Sequence, residues 1–257
     1  MNSRIKANRR VFLWIVIPIL VLSLLLSAGL IWLESYYRAD GKAIEAFAVG
    51  RKVTERTLDN GDTVFDPGGA ETGLIFYPGG KVEETAYAPL LRTIAADGVL
   101  CVLCRMPFRL AVLDPHAADS VREALPGVEH WYIGGHSLGG TIAARELSAH
   151  PDAYEGLVLL GSYSIDDLSG TPVRALSVYG SEDRVLDRSK YEENRGNLPA
   201  DLCESEIAGG CHAYFGMYGA QAGDGTPTVT NEAQIRAAAE KIAAWIGENG
   251  GVYAQDP

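Results

Sequence analysis

Trp131-Tyr132-Ile133-Gly134-Gly135-His136-Ser137-Leu138-Gly139-Gly140 runs from a short apolar strand, through a cluster of glycines, into a helix. Ile142, Ala143, Ala144 and Leu147 form the apolar stripe of that helix. Gly135 to Gly139 fits G-x-S-x-G, a sharp strand-to-helix turn that lifts a serine hydroxyl above the edge of a sheet. The backbone at such a turn is strained and its flanks come close together, which is why the positions two residues either side of Ser137 must be small. Ser137 is therefore the candidate nucleophile, and the competing reading is a plain glycine-rich turn.

Outward from this segment, apolar runs and breakers alternate. Gly73-Leu74-Ile75-Phe76-Tyr77 is continuous and apolar, as expected of a strand buried on both faces, and Pro78-Gly79-Gly80 ends it. Tyr87, Leu90, Leu91 and Ile94 predict a helix that stops at Asp97-Gly98. Residues 99–104 read as a second strand, 117–125 as a helix, and 156–161, 175–180 and, more weakly, 203–208 as further strands. Ile235, Ala239, Ile242 and Ile246 keep a helical period near the C-terminus. Upstream, residues 52–57 and 63–65 flank the turn Asp59-Asn60-Gly61-Asp62 and read as an antiparallel hairpin. The alternation predicts an α/β fold with a mostly parallel, doubly wound sheet. In such sheets, chemistry collects at the carboxyl ends of the strands.

Val11 to Leu33 is uncharged over 23 residues and rich in Leu, Ile and Val. At about 1.5 Å per residue it is long enough to cross about 30 Å of hydrocarbon. Arg4, Lys6, Arg9 and Arg10 precede it, and aromatic residues lie near both ends. These features predict a basic cytoplasmic tail (1–10), an uncleaved membrane anchor (11–33), a linker (34–51), an extracytoplasmic domain (52–250) and a short tail (251–257). A cleaved signal peptide is the rival, but the apolar run continues past Ser27-Ala28-Gly29. Setting the four basic residues aside from the formal charge of −11 leaves −15 on the remainder, a poor surface for nucleic acid.

A serine hydroxyl needs a base within hydrogen-bond reach and a third group to orient that base. Two histidines follow Ser137. His150 ends the helix begun at the turn, about three turns away. His212, in Gly209-Gly210-Cys211-His212 after the last strand, is the candidate base. The acid belongs between Ser137 and His212 at a strand end, where Asp183 in Gly180-Ser181-Glu182-Asp183 follows the fifth strand. Asp166 and Asp167, one strand earlier, are the alternatives. An oxyanion needs two N–H donors, one expected from Leu138 and the other from Gly79 or Gly80, since Pro78 has no N–H. Cys101 and Cys104 fall on opposite faces of one strand, whereas Cys203 and Cys211 flank a short loop and could pair. Neither cysteine spacing suits zinc, and no metal is expected.

Gly-His-Ser-Leu-Gly-Gly at 135–140, Phe-Tyr-Pro-Gly-Gly at 76–80, Tyr-Gly-Ser-Glu-Asp at 179–183 and Gly-Gly-Cys-His at 209–212 together resemble the α/β-hydrolase superfamily. The chain is most similar to the compact bacterial branch akin to dienelactone hydrolases, over about residues 52–248. The resemblance implies a Ser137–Asp183–His212 triad, an acyl-enzyme mechanism without cofactor, and a small-molecule or lipid-like acyl substrate. Hydrolysis, acyl transfer by the same triad, and a non-catalytic binding domain of this fold all remain open. Dienelactone hydrolases use a cysteine nucleophile, so that activity does not carry over to a serine. The short connection between the fourth and fifth strands implies no large cap and an open site. Met106-Pro107-Phe108 and Tyr214-Phe215 either line its acyl side or pack ordinarily.

Overall fold

A computed structural model describes residues 2–48 and 52–250. The expected C-terminal tail, 251–257, lies outside the described residues. The chain divides into two units at Tyr36 and Tyr37. The first is one helix, α1 (Asn2–Glu34). Its stretch Phe12–Glu34 is 23 residues long with a mean hydropathy of 2.6, and is long and apolar enough to cross a membrane. Leu24 and Ile31 are 70% and 72% exposed, so this helix buries no apolar face within its own unit.

The second unit is built on a single eight-stranded sheet in the order β1-β2-β4-β3-β5-β6-β7-β8. The strands are β1 (Thr54–Thr57), β2 (Thr63–Asp66), β3 (Thr72–Tyr77), β4 (Leu100–Leu103), β5 (His130–His136), β6 (Gly156–Leu160), β7 (Arg174–Gly180) and β8 (Asp201–Ile207). The first two pair antiparallel, β2 meets β4 antiparallel, and the other neighbours are parallel. The hairpin turn works as its residues suggest. Gly61 takes φ 93°, and the Asp62 carboxylate accepts from Asn60 Nδ2 at 2.8 Å and Arg105 N at 2.7 Å, tying the turn to the end of β4.

Two apolar layers sandwich the sheet. One holds Leu74, Phe76 and Cys101 with Leu90, Leu91 and Ile94 of α3 (Ala88–Ala96) and Ile235, Ile242 and Trp245 of α7 (Asn231–Gly250). The other holds Ile75, Val102, Cys104 and Ile133 with Val121 of α4 (Ala117–Ala124) and Ile142 and Leu147 of α5 (Leu138–Ala149). Each fully buried Leu or Ile contributes about 1.5–3 kcal/mol relative to exposure. Cys101 and Cys104 fall in opposite layers, as their odd spacing requires.

The stretch expected as a linker is not free-standing over its described part beyond Tyr36. Tyr37 N donates to Lys81 O at 2.8 Å, Asp40 caps α2 (Gly41–Ala46), and Phe47 is 6% exposed in the core. Arg236 lies over the Phe47 ring at 4.4 Å and donates to Ala48 O at 2.8 Å. Burial of the Phe47 ring favours this seat over a free tether. The connection from β6 to β7, residues 161–173, carries no helix and leaves the sheet's carboxyl edge without a cap.

Candidate active site

The parallel register assembles the site. Tyr77 pairs with Gly135, His136 with Leu160, and Gly180 with Ile207, so the loops after β3, β5, β6, β7 and β8 all emerge at one edge. Ser137, between β5 and α5, has φ 53° and ψ −125°, a left-handed conformation that costs a non-glycine residue about 1–3 kcal/mol. Its N–H donates to Leu160 O at 2.9 Å, and its carbonyl accepts from Ser162 Oγ at 2.7 Å. A Cβ at Gly135 would stand 2.6 Å from Tyr77 O, and one at Gly139 would stand 2.3 Å from Pro78 O. Neither clash can be relieved by moving a side chain, so both glycines of the pattern are sterically required.

Asp183 and His212 meet at the same edge. His212 Nδ1 lies 2.9 Å from Asp183 Oδ2, and the two side chains are 1% and 0% exposed. The other carboxylate oxygen accepts from Val185 N at 3.0 Å and Leu186 N at 2.8 Å, which fixes the carboxylate plane. This leaves His212 Nε2 as a buried nitrogen without a hydrogen-bond partner among the described residues. Ser137 and His212 line one cleft of about 300 Å³ together with Leu138, Thr141, Tyr163, Ile165, Val185 and Leu186.

A family model described as "Alpha/beta hydrolase family" matches residues 73–236. The chain belongs to the alpha/beta hydrolase family. Solved structures agree on the fold. A dienelactone hydrolase from Anabaena variabilis is 12% identical, with a TM-score of 0.56 over 77% of this chain and 99% of its own. A protein described as a predicted CIB-like hydrolase from Thermoplasma acidophilum is 17% identical, with a TM-score of 0.54 over 76% and 100%. TT1662 from Thermus thermophilus is 16% identical, with a TM-score of 0.56 over 76% and 98%. No curated protein matches the chain in sequence.

Within this alpha/beta hydrolase the loop after β3 separates the two glycines. The Gly79 N–H donates to Tyr87 Oη at 3.1 Å and is buried, so it is already engaged. Gly80 is half-buried, and a Cβ there would stand 2.8 Å from Leu138 Cδ2, which sets it against the first residue of α5. Gly80 thus stands beside Leu138, which lines the cleft. The Tyr87 hydroxyl also lies 2.7 Å from His136 Nδ1, and burial holds its phenol well above the usual range, so it stays protonated. Burial, reinforced by the neighbouring His212, pushes His136 well below the usual imidazole range. A neutral His136 can therefore accept from Tyr87.

Other candidates of this alpha/beta hydrolase fall elsewhere. Asp166 faces Arg145 at 3.3 Å, and Asp167 closes a local turn onto Ser169, so neither reaches His212. Glu182 pairs with Ser181 and Arg184. Met106, Pro107 and Phe108 line a separate depression with Asn60 and Arg105. Phe215 is buried in the core 5.5 Å from the His136 ring, with Tyr214 packed beside that core. The apolar lining of the cleft comes instead from Ile165, Val185 and Leu186. All four cysteines are free, with Cys203 exposed and Cys211 buried. Burial pushes the Cys211 thiol up to about 12. Cys203 lies on β8, whose side chains alternate, and Cys211 lies in the loop clamped beneath His212.

Three residues that sequence reading passed over shape the site. A Cβ on Gly161, at φ 51°, would stand 2.9 Å from His212 Nδ1 and 3.0 Å from Asp183 Oδ2. Asp224 accepts from His212 N at 3.2 Å, Ala213 N at 2.8 Å and Gly225 N at 2.8 Å. Burial raises its pKa, but these bonds and one from Arg184 N outweigh burial and hold the carboxyl below its usual range. Gln234 of α7 clamps both sides of Cys211, accepting from its N–H at 2.9 Å and donating to its carbonyl at 2.7 Å. Gly161 carried a signal, as a glycine ending an apolar strand. Asp224 and Gln234, 12 and 23 positions from the groups they hold, carried none.

Proposed function

We propose that the protein is a membrane-anchored serine hydrolase that cleaves an ester, thioester or related acyl bond outside the cytoplasm. Ser137 attacks the acyl carbon. His212 Nε2 takes the serine proton and returns it to the leaving group. Asp183 holds His212 through Nδ1 and stabilises the imidazolium that forms. The N–H groups of Leu138 and Gly80 bind the oxyanion. Water then repeats the sequence on the acyl-enzyme, and no cofactor is required.

The observation that carries this reading is the orphaned, buried Nε2 of His212. Its partner nitrogen is locked by Asp183, and it shares a cleft with a strained serine. A buried imidazole nitrogen without a partner costs free energy, and a substrate-side proton acceptor needs that vacancy. The cleft's size and its Ile165, Val185 and Leu186 lining suit a short apolar acyl group.

A fluorophosphonate probe should label the protein at Ser137, and Ser137→Ala should abolish both labelling and turnover of a short activated ester while the fold is retained. Absence of labelling in folded protein would instead indicate a binding domain. Labelling with product transfer to an added alcohol would indicate an acyltransferase. For the anchor, the supporting features are the 23-residue apolar span and the basic residues Arg4, Lys6, Arg9 and Arg10 that precede it. External protease should digest the domain on intact cells, and a domain protected until lysis would overturn the orientation.

A further inference from the structure

Glu146 is fully buried, yet it is met from the solvent side by two half-exposed imidazoles. His116 Nδ1 lies 2.6 Å from its Oε2 and His150 Nδ1 lies 3.0 Å from its Oε1, with the histidine side chains 54% and 43% exposed. Tyr154 Oη donates to Oε1 at 2.9 Å from within the core. The two rings stand edge to face with centroids 5.8 Å apart, and the possible ligand atoms of all three residues lie within 4.8 Å of one another. Nothing in the proposed acyl chemistry uses this cluster, which sits at the end of α5 remote from Ser137.

We propose that His116, Glu146 and His150 form a binding site for a divalent transition-metal cation, with zinc the best match. Two imidazole nitrogens and one carboxylate oxygen, with a fourth position left to water, form a donor set zinc accepts at about 2.0–2.2 Å. Tetrahedral bonds of that length put ligand atoms about 3.3 Å apart, so each hydrogen-bonded pair opens by less than about 1 Å to admit the ion. In the bound state each ring carries its proton on Nε2, where solvent accepts the hydrogen bond, and turns the Nδ1 lone pair to the metal. The exposed rings give the ion an entry path. The buried carboxylate supplies the charge, and the Tyr154 hydroxyl keeps it oriented, as outer hydrogen bonds to metal ligands do. Glu146 lies in the last turn of α5 and His150 caps that helix four positions on, its N–H donating to Glu146 O, whereas His116 comes from 30 positions earlier than Glu146, just before α4.

Zinc titrated calorimetrically into the chelator-treated full-length protein should bind at one ion per chain and raise the thermal midpoint. Cobalt should give the intense visible absorption of a tetrahedral site. His116→Ala and His150→Ala, which alter half-exposed rings and leave the core intact, should each weaken binding by about a hundredfold or more. His130→Ala, at the separate exposed His130–Glu155 pair, should leave it unchanged. Lack of zinc binding by folded wild-type protein, or binding that survives both His116→Ala and His150→Ala, would show the cluster to be only a hydrogen-bonded clasp and overturn the proposal. Ser137→Ala should bind zinc like the wild type, so failure of the acyl-transfer reading leaves this test untouched.

Discussion

The hydroxyl of Tyr87 lies 2.7 Å from Nδ1 of His136 and at the same time accepts the Gly79 N–H at 3.1 Å. One phenol therefore joins the loop after β3 to the residue preceding Ser137. Removing it with Tyr87→Phe leaves a buried amide and a buried imidazole nitrogen unpaired. That costs about 1–3 kcal/mol of stability, readable as a lowered denaturant midpoint. Because the neighbouring Gly80 would lose its fixed position, kcat toward an activated ester should fall with KM little changed. The fall should be smaller than the roughly hundredfold that follows outright removal of an oxyanion donor. A variant with unchanged kcat would detach this loop from the oxyanion.

Burial of His136 also sets a pH dependence. Its folded pKa lies well below the value of about 6.5 expected in the unfolded chain. The unfolded state therefore binds a proton first as pH falls. Stability holds above about pH 6.5 and is lost below it, by at most about 1.4 kcal/mol per pH unit, until the folded pKa is reached. His136→Gln should be less stable at pH 7.5 yet show a flatter decline to pH 5 in urea unfolding. His130, exposed and raised by its hydrogen bond to Glu155, acts weakly in the opposite sense.

Asp224 tests the loop that carries His212. Its depressed pKa means that its contribution is present above about pH 4 and lost as pH falls through the folded value. Asp224→Asn replaces an acceptor of several N–H bonds by a group that presents its own N–H to some of them. We expect a loss of about 1–3 kcal/mol and reduced labelling at Ser137 under neutral conditions, measured by thermal unfolding and probe kinetics.

Gly161→Ala places a methyl group 2.9 Å from His212 Nδ1 in a left-handed backbone at φ 51°. Displacing an imidazole by even about 1 Å can cost about a hundredfold in rate. Ester turnover should drop by that order while circular dichroism stays native. Wild-type turnover would mean that His212 does not need its present position.

Sequence by itself determined the features that arise within a short stretch of chain. Apolar runs bounded by Gly, Pro and Asp determine the strands, because such runs gain by burial and the breakers stop them. Gly135, Ser137 and Gly139 determine the turn, since only glycine fits beside Tyr77 O and Pro78 O. The 23-residue, strongly apolar stretch of α1 determines a helix long enough to span a membrane. Tertiary structure alone decided which of several equivalent residues face one another. It engaged Gly79 with Tyr87 and left Gly80 beside Leu138. It brought Asp183, and not Asp166 or Asp167, to His212, and placed Asp224 and Gln234 under the histidine loop. It also seated Phe47 in the core and gathered His116 with Glu146 and His150. These choices depend on sheet register and on packing between segments distant in the chain, and no local pattern of residues encodes a distance across the fold.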